Sequence, residues 1–404
     1  MSVPTPGTRP RAAPCPITVL RGHAAGVQAV RFLSRDVLLS GSQDGMLKVW
    51  HLARRRPSAE FFAHESNTAI QRLDILGSDK VVSQGRDGLI KVWDAERLSV
   101  PQNGSATNAE VSPEPLFILR TGAYHFCQFA LVRWRAMVST SGEGTAGHDI
   151  GGGLRSYQHN LDRPEDSEKK EGLVESIDFR EEALKGESEQ EISGISSGAF
   201  PDQVLLAPCE DQHAVRLWDL RNKQPTCTLA PSEPERKGMV MCARLLGDST
   251  SCSSPVILCG HDSGVVCCYD VRVNRQPLVT AKLHTEPVLC IDIEASCRRG
   301  VSGSADADVH VFKLDLKKAK CRVTSTFHLD RPGTSCVEIR PDQKLFTLGG
   351  WDRRIRMFSW GTPRALAVLR CHEGSVYSID YSPENGIFAA GSKDCRVSIW
   401  NVYP

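Results

Sequence analysis

Histidine, serine and aspartate, the residue types of a nucleophilic catalytic triad, recur together along this chain. In a triad a histidine takes the proton of a serine hydroxyl while an aspartate holds the imidazole in place. Here a histidine stands 21 to 24 residues before an aspartate in five places, with serine between them. The pairs are His23 and Asp44, His64 and Asp87, His284 and Asp306, His328 and Asp352, and His372 and Asp394. A catalyst needs one such constellation, so five copies at matching spacings favour a structural role.

Other chemistry has little support in the sequence. The chain contains no GxxxxGK[ST] phosphate loop and no HExxH motif. None of the fifteen cysteines forms a C-x-x-C pair, and zinc sites need clustered thiolates or imidazoles. We therefore expect a protein that is not an enzyme, binds no cofactor or metal, and holds its cysteines as buried thiols. The adjacent Cys267 and Cys268 would point to opposite faces of a strand.

The histidines and aspartates belong to a repeat whose period is close to that of β-propeller blades. Each unit contains a short apolar strand ending in an aromatic residue, and most of these aromatics are 42 to 46 residues apart. In five units an aspartate stands six residues before the aromatic. The seven aromatics are Trp50, Trp93, Trp218, Tyr269, Phe312, Phe358 and Trp400. The pattern predicts an all-β fold of seven units, each closing with its aromatic strand.

The repeat resembles the WD-repeat family, because Gly22-His23, Trp93-Asp94 and Trp218-Asp219 match its signature dipeptides. The resemblance covers nearly the whole chain and implies a seven-bladed β-propeller. In blades of that family a histidine, the turn aspartate, a strand serine or threonine and the tryptophan form a buried hydrogen-bonded chain. The residues that the resemblance assigns to this structural role are His23, Asp44, Trp50, His64, Asp87, Trp93, His284, Asp306, His372, Asp394 and Trp400. Gln212 and Ser263 replace the turn aspartate in units three and four, which predicts an incomplete chain there.

The two ends of the repeat predict how the ring closes. An apolar segment, residues 17–20, precedes the first histidine, and the last unit ends with a strand near residues 396–402. We expect the N-terminal strand to form the outer edge of the last blade, because an uncovered edge invites aggregation. Residues 17–404 would then be one propeller, and the proline-rich residues 1–16 would be disordered.

The 125 residues between Trp93 and Trp218 interrupt the period. Two further blades would fit this length, but residues 141–198 contain fourteen acidic and six basic residues and little strand-like alternation. Such a segment buries too little apolar surface to offset the entropy of ordering it. We therefore predict an acidic disordered insertion, residues 139–200, within blade three. The first strands of that blade are predicted near residues 124–132 and the last two at 204–208 and 215–218.

The position just before each turn aspartate lies, by the geometry of the resembled family, on the rim of the top face. Tryptophan and arginine are enriched among interface hot spots, so Trp351 and Arg86 are the leading candidates for partner binding. A packing role of Trp351 against a neighbouring blade is the alternative. The other rim residues are Gln43, Ala305 and Lys393, with Asp211 and Asp262 near the same level.

A narrower resemblance comes from Ser83-Gln84-Gly85-Arg86-Asp87, from residues 350–356 and from Gly391-Ser392-Lys393-Asp394. These segments resemble the Gβ-like protein 1 group, also called ASTRA-associated protein 1. Residues 123–129 and the acidic insertion look like its plant branch, the Decreased Size Exclusion Limit (Tanmei) proteins. The resemblance implies a scaffold for maturation of phosphatidylinositol-kinase-like kinases with chaperone partners, and in plants a developmental role and an influence on plasmodesmal permeability.

A substrate receptor of a cullin-RING ubiquitin ligase is the alternative function. Adaptors of that class often end a blade in Trp-Asp-x-Arg, which Trp218-Asp219-Leu220-Arg221 and Tyr269-Asp270-Val271-Arg272 resemble. The partners expected are other proteins, with no membrane insertion and a monomeric state. A formal charge of +1 does not favour nucleic acid, although Arg54-Arg55-Arg56 and residues 317–320 are basic. The absence of a signal sequence predicts a cytoplasmic and nuclear location.

Overall fold

Short antiparallel strands account for nearly all regular structure in the computed structural model of this chain. The residues that it describes are 14–99, 113–124, 127–131, 204–231, 237–246, 256–271, 276–294, 296, 298–362, 364–383 and 386–403. They contain twenty-eight strands and one five-residue helix, α1 (Ala95–Ser99). The predictions of a disordered N-terminus and of an acidic insertion at 139–200 concern residues outside these ranges, residues 14–16 excepted. No helix in the described ranges is long and apolar enough to cross a bilayer.

The first three blades are four-stranded antiparallel sheets in which neighbouring strands are consecutive in sequence. Blade 1 comprises β2 (Val27–Phe32), β3 (Val37–Ser42), β4 (Met46–His51) and β5 (Arg56–Phe62); β1 is described below. Blade 2 comprises β6 (Ile70–Leu76), β7 (Lys80–Gly85), β8 (Leu89–Asp94) and β9 (Phe117–Arg120). Blade 3 comprises β10 (Ala130–Leu131), β11 (Val204–Pro208), β12 (Val215–Asp219) and β13 (Gln224–Leu229).

The next three blades repeat the same topology. Blade 4 comprises β14 (Val240–Leu246), β15 (Val256–His261), β16 (Val265–Asp270) and β17 (Val279–Lys282). Blade 5 comprises β18 (Val288–Ile293), β19 (Arg299–Ser304), β20 (Asp308–Asp315) and β21 (Lys320–His328). Blade 6 comprises β22 (Thr334–Ile339), β23 (Leu345–Gly350), β24 (Arg354–Ser359) and β25 (Ala365–Arg370).

Blade 7 joins the two ends of the chain. It comprises β26 (Val376–Tyr381), β27 (Ile387–Ser392), β28 (Arg396–Asn401) and, as its outer strand, β1 (Thr18–Arg21). Strand β1 pairs antiparallel with β28, from Thr18 opposite Ile399 to Arg21 opposite Arg396. The predicted closure by an N-terminal strand is confirmed, and Leu20 is 1% exposed where it enters the core.

The hydrophobic core is divided into seven clusters, each lying between two consecutive blades, including blades 7 and 1. Both faces of every sheet are therefore covered, which is why central strands such as β3 are buried along almost their whole length. Cys267 and Cys268 illustrate the arrangement, because the first packs between blades 3 and 4 and the second between blades 4 and 5. The closed set of interfaces confirms a seven-bladed β-propeller.

Two details of the predicted blades are wrong. The aromatic strand, such as β4 with Trp50, is the third strand of its blade rather than the closing one, because the chain begins with the outer strand of blade 7. In blade 3 the segment predicted to hold the first strands, residues 124–132, contains in its described part only the two-residue inner strand Ala130–Leu131. The strands at 204–208 and 215–219 are consequently the second and third of four.

Candidate protein-binding site

Blade 2 contains a complete hydrogen-bonded chain of four side chains. The indole N–H of Trp93 donates to Ser83 Oγ at 2.9 Å, and Ser83 Oγ lies 2.9 Å from His64 Nε2. The other ring nitrogen of His64 contacts the Asp87 carboxylate at 2.8 Å. Each donor has one acceptor if the serine hydroxyl donates to Nε2 and the Nδ1–H donates to the aspartate. The chain links the start of the blade, its second and third strands, and the turn between them.

Blades 5 and 7 contain the same chain with one member changed in each. In blade 5, His284 contacts Ser302 Oγ at 2.9 Å and Asp306 at 3.1 Å, but Phe312 has no N–H to contribute. In blade 7 the hydroxyl comes from the third strand. The contacts to Ser398 Oγ are from His372 Nε2 at 2.7 Å and from Trp400 Nε1 at 2.7 Å, and His372 Nδ1 lies 2.9 Å from Asp394. The second strand has alanine, Ala390, directly opposite Ser398.

The expected contact between His23 and Asp44 in blade 1 is not made. His23 Nε2 lies 2.6 Å from Ser40 Oγ, which also accepts the indole N–H of Trp50 at 2.7 Å. His23 Nδ1 has no hydrogen-bond partner in the described part of the chain. Asp44 instead accepts the hydroxyl of Ser42 at 2.5 Å, so the turn aspartate is satisfied within its own turn.

In blades 3 and 4 the strand hydroxyl is missing. Ala207 occupies the position that corresponds to Ser83, and the indole N–H of Trp218 is buried with no hydrogen-bond partner among the described residues. In blade 4 Cys259 takes this position and Tyr269 replaces the tryptophan. The turn residues Gln212 and Ser263 thus belong to blades with an incomplete chain.

Blade 6 uses an arginine where the repeat predicts a histidine. Asp352 accepts two hydrogen bonds from the Arg356 guanidinium, at 2.6 and 3.0 Å. His328, which stands at the repeat spacing from Asp352 in the sequence, does not take part in this blade's chain. Its side chain is 79% exposed at the end of the outer strand of blade 5, where it contacts Asp308 at 2.8 Å. The nine-residue strand β21 takes His328 away from the turn of blade 6.

Burial decides what these chains can do chemically. The side chains of Ser83 and Ser302 are completely buried, so no substrate can reach their hydroxyls. Burial lowers the pKa of His284 to about 4, which keeps the imidazole neutral. Burial alone would raise the pKa of the Asp87 carboxyl, but hydrogen bonds from His64 and from the backbone N–H of Leu89 help to outweigh it, and the pKa falls below its usual value. A neutral histidine against a carboxylate braces a turn, and each such net hydrogen bond contributes about 1 kcal/mol.

A belt of charges around the central cavity was not predicted from the sequence. Arg31 of blade 1 bridges its two neighbours, contacting Asp74 at 2.9 Å and Asp380 at 2.7 Å. The matching inner-strand residues are Arg31, Asp74, Ala130, Arg244, Asp292, Glu338 and Asp380. The available signal was a charge between two apolar residues, 13 or 14 residues before the turn aspartate in five units.

The rim consists of the seven residues that stand seven positions before the aromatic of each blade. Six of them donate their backbone N–H to the carbonyl oxygen of the residue just before the inner strand of the same blade. The bonds are Gln43 to Gly26, Arg86 to Ala69, Asp262 to Met239, Trp351 to Gly333 and Lys393 to Ser375, all at 2.9 Å, and Ala305 to Pro287 at 3.0 Å. The remaining rim residue is the exposed Asp211. The turns therefore lie at one level, beside the start of the inner strands.

Trp351 is the large apolar side chain of the rim, and 45% of it is exposed. Its indole lies on Gly333, where a Cβ atom would come within 2.2 Å of the ring. Gly333 also has φ of +95°, which other residues rarely adopt. Because Gly333 has no side chain, the indole packs directly on the backbone at this position. Trp351 contacts the loop before its own blade, and part of its surface stays open.

The remaining rim side chains differ in sign around the ring. Lys393, Gln43 and Arg86 are exposed on blades 7, 1 and 2, whereas Asp211 and Asp262 are acidic on blades 3 and 4. Tyr124, 67% exposed, adjoins the turn of blade 2 next to Gly88. The structure thus brings aromatic and basic residues to one arc of the rim.

Other sequence candidates lie at the opposite end of the blades. Arg54-Arg55-Arg56 and residues 317–320 form exposed turns between third and fourth strands, away from the rim. Arg221 is exposed on the corresponding turn of blade 3, 3.7 Å from Asp219, while Arg272 lies outside the described residues. In the described ranges no three His, Cys, Asp or Glu side chains are grouped to hold a metal ion. Most of the described cysteines are buried, and burial raises the pKa of Cys242 to about 12.

Comparison with known proteins points to the same fold. The family model for the WD domain, G-beta repeat, matches residues 14–51 and 363–401. The mouse guanine nucleotide-binding protein subunit beta-like protein 1 is 37% identical over 201 residues, which cover 50% of this chain and 60% of that relative. The chain thus spans less than two thirds of the mouse protein.

Fungal relatives align over the full length. ASTRA-associated protein 1 of Aspergillus flavus is 24% identical over 100% of both chains, and that of Schizosaccharomyces japonicus is 24% identical over 96% of this chain and 99% of the relative. The repeats, the closed ring of seven blades and these similarities agree. The chain is a WD-repeat β-propeller that is homologous to ASTRA-associated protein 1 and to guanine nucleotide-binding protein subunit beta-like protein 1.

Proposed function

We propose that this chain is a non-enzymatic scaffold that holds partner proteins against the rim. The observation that carries the proposal is the placement of the 45% exposed Trp351 on a rim whose turns are fixed by matching backbone hydrogen bonds. A partly exposed indole on a rigid support is the kind of residue that dominates binding energy in protein interfaces. The recurring polar residues hydrogen-bond to one another inside the blades, so the rim is the surface that remains for recognition.

The finer proposal follows the full-length relatives. Because the fungal proteins carry the name ASTRA-associated protein 1, we propose that this chain also associates with an assembly of that type. The family resemblance supports chaperone partners and a role in maturation of phosphatidylinositol-kinase-like kinases, in the cytoplasm and the nucleus. For a plant chain it supports a developmental role and an influence on plasmodesmal permeability.

Affinity purification from cell extract with mass spectrometry tests the proposal. The tagged full chain should recover chaperone and kinase-assembly factors, and Trp351→Ala should lose them. Val368→Ala is the matched control, because Val368 is 46% exposed in the same blade but on its outer strand. Equal recovery by the unmodified chain, Trp351→Ala and Val368→Ala would show that the partners do not bind through Trp351. Recovery of cullin-RING adaptor subunits in place of chaperones would instead support the ligase-receptor function.

A further inference from the structure

The exposed indole of Trp351 lies among cations. Arg331 is exposed in the loop beneath the indole, and Arg353 is exposed in the same turn as Trp351. Lys393 of blade 7 is linked to Trp351 through Ser375, which hydrogen-bonds to the backbone of both residues. The hydroxyl of Ser375 donates to Trp351 O at 3.2 Å, and the backbone N–H of Lys393 donates to Ser375 O at 2.9 Å. Three exposed basic residues thus lie on the turns and the loop that adjoin the indole.

Three of the acidic side chains near the indole are paired with arginines, and a fourth, Asp394, contacts His372 at 2.9 Å. The pairs are Asp330 with Arg354 at 3.4 Å, Asp352 with Arg356 at 2.6 Å, and Glu373 with Arg396 at 3.3 Å. Arg331, Arg353 and Lys393 make no ion pair within the described part of the chain. The surface around Trp351 therefore has a local excess of positive charge.

This excess is confined to one arc of the rim. On blades 3 and 4 the corresponding rim residues are Asp211 and Asp262, and the exposed Glu210 stands next to the first. Because salt screens exposed charges over about 10 Å, a bound segment responds mainly to the charges beside it. An acidic segment is attracted to the Trp351 arc and repelled beside Asp211 and Glu210 of blade 3.

We infer that the rim of blades 6 and 7 binds an acidic segment of a partner protein. One apolar or aromatic side chain of that segment packs on the Trp351 indole, and its carboxylates lie beside Arg331, Arg353 and Lys393. The inference rests on the proposed scaffold function and adds the chemistry of the partner. The hydrophobic contact supplies affinity, and the cations favour negatively charged residues on either side of it.

Selection of a random-peptide phage library on the purified full chain, with counter-selection on Trp351→Ala, tests the inference. We expect a consensus of Asp and Glu around one apolar or aromatic residue. A fluorescent peptide with that consensus should bind about thirtyfold more weakly to Trp351→Ala, in line with a hot-spot residue. Affinity should also fall as salt increases.

Charge reversal separates this surface from general attraction. Arg353→Glu with Lys393→Glu should weaken the acidic peptide at least tenfold and improve binding of its lysine-substituted version. Lys318→Glu makes the same kind of change on an exposed turn at the opposite end of the blades and should have little effect.

Three results would overturn the inference: a neutral or basic consensus, an equal loss with Lys318→Glu, or equally tight binding of a single-stranded oligonucleotide of matched charge. The scaffold proposal is judged separately, by the partners that Trp351→Ala loses in cell extract. If those partners are lost while the peptide consensus is not acidic, the chemistry proposed here is wrong and the scaffold stands.

Discussion

Removal of one buried hydroxyl, by Ser83→Ala, should destabilise the protein more than its size suggests. Ser83 Oγ accepts the indole N–H of Trp93 and contacts His64 Nε2, each at 2.9 Å. Trp93 and His64 are both 2% exposed, so water cannot replace the lost hydroxyl. Each orphaned partner costs about 1–3 kcal/mol. With two orphaned partners, the expected loss in free energy of unfolding is therefore about 2–6 kcal/mol.

Blade 3 offers the reverse experiment. Ala207 stands at the position of Ser83, and the buried indole N–H of Trp218 has no partner among the described residues. Ala207→Ser would supply one acceptor, so we expect a gain of about 1 kcal/mol. Ser34→Ala, in an exposed loop, is the control and should change stability by less than about 0.5 kcal/mol.

Urea denaturation followed by far-ultraviolet circular dichroism measures these changes as shifts in the midpoint at constant slope. If Ser83→Ala differs from the unmodified protein no more than Ser34→Ala does, the hydroxyl is not a structural link. If Ala207→Ser destabilises as strongly as Ser83→Ala, the comparison between blades is wrong. Either result would refute the view that the polar chain holds each blade together.

Three further predictions concern histidines and the charge belt. Burial lowers the pKa of His23 and His284 to about 4, so these histidines are protonated in the unfolded chain before the folded one as pH falls below about 6.5. The free energy of unfolding should therefore drop by about 2 kcal/mol per histidine between pH 7 and 5. His23→Gln should flatten the measured dependence of the urea midpoint on pH. Arg31→Ala leaves two buried carboxylates without their shared partner and should cost about 3 kcal/mol in urea unfolding; a loss below 1 kcal/mol would contradict a bridging role. His328→Ala should be nearly neutral in thermal melts, whereas His372→Ala should lower the melting temperature by several degrees, and equal effects would reject their different placement.

The architecture was predictable because every blade repeats the same spacing. Aromatic residues at regular intervals fix the number of sheets, and an apolar segment before His23 fixes the closing strand, since both depend on local sequence. The limits of blade 3 were less predictable. Its inner strand, Ala130–Leu131, has only two residues and lies far in sequence from the strand it pairs with. No periodicity can reveal so short a strand.

The candidate site was predictable in position but not in its supporting contacts. The spacing places Trp351 on the rim, yet its seat on Gly333 depends on a contact between a turn and a loop 18 residues earlier. In blade 7 the hydroxyl comes from Ser398 on the third strand, opposite Ala390 on the second, because either of two paired strands can place a hydroxyl at this position. Blade 6 replaced a histidine by Arg356 on another strand. Such exchanges preserve a contact in space while breaking the pattern in sequence.

The hydrogen-bonded chains inside the blades are connected to the rim through the turn aspartates. Arg86, Trp351 and Lys393 each directly precede a turn aspartate, so whatever holds the aspartate also holds the rim residue. Those aspartates contact His64 at 2.8 Å, Arg356 at 2.6 Å and His372 at 2.9 Å. In blades 3 and 4 the turns lack this brace, and their rim residues are acidic. The turns that carry Arg86, Trp351 and Lys393 are therefore held within the blades, which would lower the entropy lost if the proposed partner binds there. Under the proposed scaffold function, the residues that look catalytic in the sequence would keep the rim side chains in place for recognition.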